Sequence, residues 1–388
     1  MVTLRSILDN DFYKFTMQQC VVKLFPRAKA RYRFINRGNH AFPEGFGDVL
    51  QRSVNSMAGL KLSREEKNWL AESCPYLDPV YLDFLQGYCY DPNEVQIEQS
   101  AESLEIFVQG YWYRTILWEV PLLCLISENY YKISSMEREK DEAVVEKTKK
   151  KMDAYDQLNV TIAEFGTRRR HSFKVQDLVV SNLTGHSCFV GTSNVHLARV
   201  HKTRPIGTHA HEWFMFHAAK YGFKMANIIA LEHWTDIYRG DLGIALSDTF
   251  TTDEFYEVFD KKFAKLFDGV RHDSGDPLEF ADKTIQHYRS LGIDPLSKTI
   301  IFSDALNYEK VKNIADHCRG KINCSFGIGT NFTNDVGLKS MNIVMKMTEA
   351  LPESEPWTSV VKLSDEPMKY TGDPQTIALA KLVLGIKE

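Results

Sequence analysis

The sequence predicts an α/β protein: a TIM-like β/α barrel over residues 136–347, with an additional α+β domain built from residues 1–135 and completed by 348–388. Three observations lead there. Beyond residue 160, short apolar runs alternate with helical stretches, and each run empties into a loop rich in Gly, Asp or Ser. Ahead of that region, strand-like and polar helical segments are mixed without such a beat. Between the two lies a densely charged stretch, Asp141 to Asp156.

In chain order, Ala30 to Ile35 and Leu104 to Val108 read as strands and Leu62 to Glu72 as a polar helix. The charged stretch carries Val144, Val145, Met152 and Tyr155 among its Glu, Lys and Asp residues, which fits a mostly solvated amphipathic helix joining two regions. Seven strand-loop units follow. Ile162 to Phe165 leads into Gly166 to Arg170, Cys188 to Val190 into Gly191 to Asn194, and Arg204-Pro205-Ile206 into Gly207 to His211. Leu242 to Leu246 then precedes Ser247-Asp248-Thr249, Gly269-Val270 precedes Arg271 to Asp276, Thr299 to Phe302 precedes Ser303-Asp304, and Ile322 to Phe326 precedes Gly327 to Thr330. Helices fit between them. Thr252 to Phe267 has Phe255, Phe259, Phe263 and Leu266 at near-helical spacing, and another helix starts at Pro277 behind an Asp276 cap. Seven parallel units are more economical as a closed barrel than as an open sheet, with the active site where the loops converge. From about Thr348 the beat is lost: a Pro and Glu-rich loop around 352–356, a strand at Val360 to Leu363 and an apolar helix from Thr376 to Leu384 pack back on the first domain.

Composition removes several function classes. A formal charge of −4 leaves no bulk basic surplus, so a general nucleic-acid surface is not expected. The longest nearly apolar stretch, Val120 to Ile126, falls far short of the roughly 20 residues that span a bilayer. The N-terminus reaches Asp9 and Asp11 before any signal-peptide core, so a cytoplasmic protein is expected. Seven cysteines without a CxxC pair indicate neither a zinc site nor a disulfide framework; they read as small buried hydrophobes.

The loops carry the chemistry. His209 and His211 sit in Gly207-Thr208-His209-Ala210-His211-Glu212-Trp213, where a loop enters a helix and backbone N–H groups favour an anion. A neutral imidazole there can attack phosphorus, with Glu212 or a nearby Asp fixing its tautomer; two ordinary loop histidines explain the motif equally well, and a metal pair ranks third. Gly327-Ile328-Gly329-Thr330 would let backbone approach a phosphate, although it lacks the Lys of a Walker loop. Arg271-His272-Asp273-Ser274-Gly275-Asp276 suits a polyanion held directly by Arg and through Mg²⁺ by Asp; a capped turn is the plainer alternative. Of Arg168, Arg169 and Arg170, strand-end placement turns at least one into the site. Three anion-binding clusters on one side of one barrel imply a phosphorylated ligand.

Together with Asp11-Phe12-Tyr13-Lys14-Phe15-Thr16-Met17, these segments resemble the nicotinate phosphoribosyltransferase family over essentially the whole chain, and their order and spacing are highly specific. The resemblance implies an ATP-assisted enzyme of NAD biosynthesis that joins nicotinate to the ribose 5-phosphate of phosphoribosyl pyrophosphate, making nicotinate mononucleotide. It implies that His211, rather than His209, is transiently phosphorylated by ATP. Tyr13 and Phe165 would sandwich the pyridine ring, with Tyr13 supplied by the partner subunit of a homodimer that shares its active sites. Thr208 and Arg271 match nicotinate contacts, Arg168 a further anion contact, and Gly327, Gly329 and Thr330 the loop that receives phosphoribosyl pyrophosphate. Mg²⁺ is expected near Asp273 and Asp304, where it would neutralise departing pyrophosphate. The expected partners are thus small molecules, with neither nucleic acid nor membrane among them. A nicotinamide or quinolinate enzyme, a phosphosugar aldolase or isomerase barrel, and a catalytically silent sensor are the alternatives; for the second, no central Lys or acid/base pair at a strand end stands out.

Overall fold

The computed structural model describes residues 1–353 and 355–386, so Ser354 of the expected 352–356 loop lies outside the described residues. Three strands precede the charged helix: β1 (Lys29–Asn36), β2 (Val95–Ser100) and β3 (Ser103–Tyr111). Seven follow it: β4 (Thr161–Glu164), β5 (Phe189–Thr192), β6 (Arg239–Leu242), β7 (Ile244–Leu246), β8 (Gly269–His272), β9 (Thr299–Phe302) and β10 (Asn323–Ile328). The last two are β11 (Ile343–Leu351) and β12 (Thr358–Ser359).

All but β6 form two sheets. One is antiparallel, ordered β12-β11-β1-β3-β2, and the other is parallel, ordered β5-β4-β10-β9-β8-β7. β11 inserts beside β1 in antiparallel register from Lys29↔Leu351 to Asn36↔Ile343, so the return to the first sheet begins at Ile343 rather than near Thr348. The α/β reading with a parallel sheet therefore stands.

Six of the seven expected parallel units are strands, and the seventh, Arg204-Pro205-Ile206, is a single bridge of Pro205 to Thr192. Proline supplies no N–H, so the ladder stops there. Thr192 N still donates to Arg204 O at 3.1 Å and Ile206 N to Thr192 O at 2.9 Å. On the far side the same segment reaches β7 through side chains: Thr208 Oγ1 donates to Ile244 O at 3.0 Å, and Leu246 N to His209 Nε2 at 3.1 Å.

Local chemistry explains the helices. The charged helix runs Asp141–Leu158 and buries Val144, Thr148, Met152 and Tyr155, a stripe recurring every three to four residues. The expected helix Thr252 to Phe267 is two, Thr252–Val258 and Lys261–Leu266, because Asp260 breaks it and caps the second with bonds from Lys262 N and Phe263 N. Asp276 and Pro277 start Pro277–Ser290 as expected. At the C-terminal end, Val360 to Leu363 is not a strand; the run carries one bridge, Lys362 to Thr371, before the helix Pro374–Leu384. The helix Phe12–Leu24 is buried from Phe12 through Val21 on all faces, which is why no amphipathic period marks it. Its Phe25 flank joins Trp112, Trp213 and Phe216 in an aromatic core that binds the two sheets' helices together.

Candidate active site

Loops from the carboxyl ends of the parallel strands, together with Met345, Lys346 and Met347 of β11, line one cavity of about 1090 Å³. Tyr13, Phe165, Arg168, Thr208, His211, Arg271, Asp273, Gly327, Gly329 and Thr330 all line it. Asp304 does not: its carboxylate points instead to Lys369 at 2.9 Å. The acid that approaches His211 alongside Asp273 is Asp248, and the three groups place ligand atoms within 4.8 Å of one another.

Tyr13 lines the cavity within its own chain. Its backbone lies against Gly207, whose φ of +154° and close approach to Tyr13 leave no room for a side chain. Next to it, Lys14 is fully buried between Glu119 at 2.6 Å and Glu212 at 2.9 Å, so Glu212 is spent on Lys14 and does not orient His211. Phe165 lies over Gly327, where a Cβ would run into its ring. Steric need for the aromatic, rather than phosphate approach alone, thus accounts for that glycine.

The three arginines diverge. Arg168 faces the cavity near Asp11 and Glu119 at 3.7 and 3.8 Å. Arg169 lines the cavity without a carboxylate partner among the described residues. Arg170 turns into the core, where it grips Asp9 through two bonds of 2.6 and 2.8 Å and Glu128 through one of 2.8 Å. Lys346 also lines the cavity without an ion-pair partner among the described residues; burial, with the Lys362, Arg168 and Arg37 charges, pushes it down to about 8. Arg271 donates Nη1 to His209 O at 3.2 Å, while its Nε is buried with no partner.

His211 is the first residue of the helix His211–Tyr221. Thr249 Oγ1 lies 3.0 Å from its Nδ1; Lys362 Nζ and Asp273 Oδ2 lie 2.8 and 3.0 Å from its Nε2. Nε2 carries either a lone pair or a proton, so it cannot accept from Lys362 and donate to Asp273 at once. The shorter ammonium contact favours the tautomer with the proton on Nδ1, given to Thr249. Burial and the Lys362 charge push His211 down to about 4, leaving a neutral imidazole near pH 7. Burial alone would raise Asp273; the Lys362 and Arg271 charges oppose it, and the carboxyl is held well below the usual range. His209 takes the plainer role, buried against Trp234 and Phe214 and accepting from Leu246 N.

Two family models divide the chain between them. One described as the nicotinate phosphoribosyltransferase family matches residues 160–388, and one described as its N-terminal domain matches residues 8–127. The chain belongs to the nicotinate phosphoribosyltransferase family. A nicotinate phosphoribosyltransferase of Chromohalobacter salexigens is 62% identical over 385 residues, 99% of each chain, and one of Desulforapulum autotrophicum is 47% identical over 97% of each. The crystal structure of a Porphyromonas gingivalis nicotinate phosphoribosyltransferase superposes with a TM-score of 0.96 at 46% identity, covering 99% of this chain and all of that one. A putative yeast member gives a TM-score of 0.93 at 33% identity, covering 99% of each chain.

For this family member, the sequence left Asp248, Thr249, Lys346 and Lys362 without a role. Asp248 and Thr249 follow an apolar run as the other site loops do, so strand-end placement was the signal for them. Lys362 lies beyond the repeating units and had none. Among the described residues no helix is long and apolar enough to cross a membrane.

Proposed function

We propose that this chain joins nicotinate to phosphoribosyl pyrophosphate, giving nicotinate mononucleotide and pyrophosphate, with ATP coupled through phosphorylation of His211. The supporting observation is that two aromatics, Tyr13 and Phe165, an arginine with a free buried N–H, and two cations without carboxylate partners among the described residues line one cavity with a neutral histidine. Tyr13 and Phe165 bracket a flat ring, and Arg271 with Thr208 takes its carboxylate. Arg168, Arg169, Lys346 and the Gly329-Thr330 turn receive the phosphates. The pyridine nitrogen forms a bond to the ribosyl carbon as the bond to pyrophosphate breaks, so the protein's task is alignment and charge stabilisation.

The residues present fit Mg²⁺. Asp273 Oδ1 accepts from Ser303 at 3.0 Å, its Oδ2 lies 3.0 Å from His211 Nε2, and Asp248 Oδ1 is buried without a partner. When bound, Mg²⁺ would offset the charge of the departing pyrophosphate. In the same reading the segment 204–209 closes the parallel sheet into a barrel, and residues 1–135 with the C-terminal end form the second domain. The same reading has the protein assemble as a homodimer with shared active sites. The seven free thiols suit a reducing compartment, and we place the protein in the cytoplasm.

The direct test supplies nicotinate, nicotinamide or quinolinate with phosphoribosyl pyrophosphate, Mg²⁺ and ATP and measures mononucleotide. Turnover of nicotinate alone is expected; turnover of none would leave only a binding role. In the same assay Arg271→Ala should raise the nicotinate Michaelis constant about 10- to 100-fold, the loss of a charge-assisted pair worth about 1.5–3 kcal/mol. An unchanged constant would remove Arg271 from the carboxylate site. Gly327→Ala should shift the Phe165 ring and raise the same constant about tenfold, with a stability cost of about 1–3 kcal/mol from overpacking. Wild-type affinity for nicotinate in that variant would show that the ring position does not matter.

A further inference from the structure

We propose that Lys362 is a catalytic residue of phosphoryl transfer to His211, covering the Nε2 lone pair in the resting site and moving onto the phosphoryl group as the N–P bond forms. This rests on reading His211 as the phosphoryl acceptor. Lys362 Nζ lies 2.8 Å from His211 Nε2, 3.2 Å from Asp248 Oδ2 and 3.8 Å from Asp273 Oδ2. It is the only ammonium among the described residues that reaches that group of three ligand side chains.

The placement is built rather than incidental. Lys362 exchanges two backbone bonds with Thr371, each 2.9 Å. The next residue, Leu363, donates its N–H to Thr249 O at 2.8 Å, and Thr249 is the residue whose hydroxyl meets His211 Nδ1 at 3.0 Å. One residue thus fixes both the lysine backbone and the imidazole. Further along, Ser364 bonds Ser274 at 2.8 Å, Asp365 accepts from Thr252 N at 2.7 Å, and Glu366 accepts from Gly275 N at 2.8 Å. The segment 362–366 therefore straps the loops after β7 and β8 together and inserts one side chain, Lys362, between them.

The chemistry balances without a proton transfer. The Nε2 lone pair forms the bond to the γ-phosphorus, the bond from that phosphorus to the bridging oxygen breaks, and its electron pair leaves with ADP. Nδ1 keeps its proton on Thr249. The incoming phosphoryl must enter where Lys362 now touches Nε2, so the ammonium transfers its hydrogen bond from nitrogen to a phosphoryl oxygen, with Asp248 still beside it. A fixed cation at the point where charge shifts is the arrangement that gains most in a site shielded from water. Until a phosphoryl anion draws the ammonium away, the nucleophile is occupied.

The test is the single-turnover rate of transfer from γ-labelled ATP to the full-length protein for wild type, His211→Asn, Lys362→Ala and Lys362→Gln, with melting curves to confirm folding. Expected are label in wild type, none in His211→Asn, and a rate lowered about 100-fold or more in both lysine variants, with half-saturation by ATP changing far less. Ethylammonium should recover about a tenth of the lost rate in Lys362→Ala and do nothing for His211→Asn. Wild-type rates in Lys362→Ala or Lys362→Gln overturn the role of Lys362 alone, as does a slow Lys362→Ala that the amine cannot rescue. Absence of label in the wild type overturns the phosphohistidine reading itself.

Discussion

Replacing His211 with asparagine is expected to abolish phosphoryl transfer to the protein and the stimulation of product formation by ATP. Asparagine retains a polar group near Thr249 but offers no nitrogen lone pair where Nε2 stands, 2.8 Å from Lys362. With ATP acting by coupling, as proposed, the loss equals the coupling free energy, typically about 1–3 kcal/mol or roughly 5- to 150-fold in rate at limiting substrate. Mononucleotide formation with and without ATP, measured in both proteins, reads this directly. ATP stimulation of equal size in the variant would mean that the nucleotide acts elsewhere.

Arg170→Met carries the largest expected cost to stability, about 3–5 kcal/mol at neutral pH, because it strands two buried carboxylates. Arg170 is completely buried, as is Asp9, and Glu128 nearly so. Burial alone would raise Asp9; Arg170 overrides it and holds the carboxyl below its ordinary value of 3.8. A depressed carboxyl contributes stability above its unfolded value and loses it as pH falls through the folded one. The deficit of the variant should therefore be full near pH 7 and shrink toward acid, where a protonated Asp9 no longer calls for the guanidinium. Urea midpoints at pH 7 and pH 4 test the pair. A deficit that is small, or that grows in acid, would sink the account.

What the sequence revealed depended on whether the signal was local. Loop chemistry at strand ends was local, so Phe165, Thr208, His211, Arg271 and Asp273 could be gathered before any coordinates, and they do share one cavity. Pairing across long sequence separation was not. No pattern in Ile343–Leu351 tells that it lies beside β1, or in 362–366 that it spans two loops of the parallel sheet. Arg168, Arg169 and Arg170 were indistinguishable as letters, and only the buried Asp9 and Glu128 decide which one turns inward. The surroundings of Asp304 were hidden for a similar reason: it follows a strand like the others, but Lys369 arrives from the far end of the chain to pair with it. Pro205 announced its own irregularity, since a residue without an N–H cannot extend a ladder.

The insertion of β11 beside β1 also sets a timetable for the ribosome. Lys29 pairs with Leu351, so one edge of β1 has no neighbour until roughly three hundred further residues have been translated, on the order of 15 to 60 seconds at ordinary elongation rates. Through that interval β3 can zip onto the other edge and the parallel units can emerge and pack, while the open side of β1 presents bare N–H and C=O groups to any passing strand. The nascent chain therefore stays exposed to misassociation through most of its own synthesis, and release of the C-terminal segment ends that vulnerability in the same step that brings Lys362 to His211.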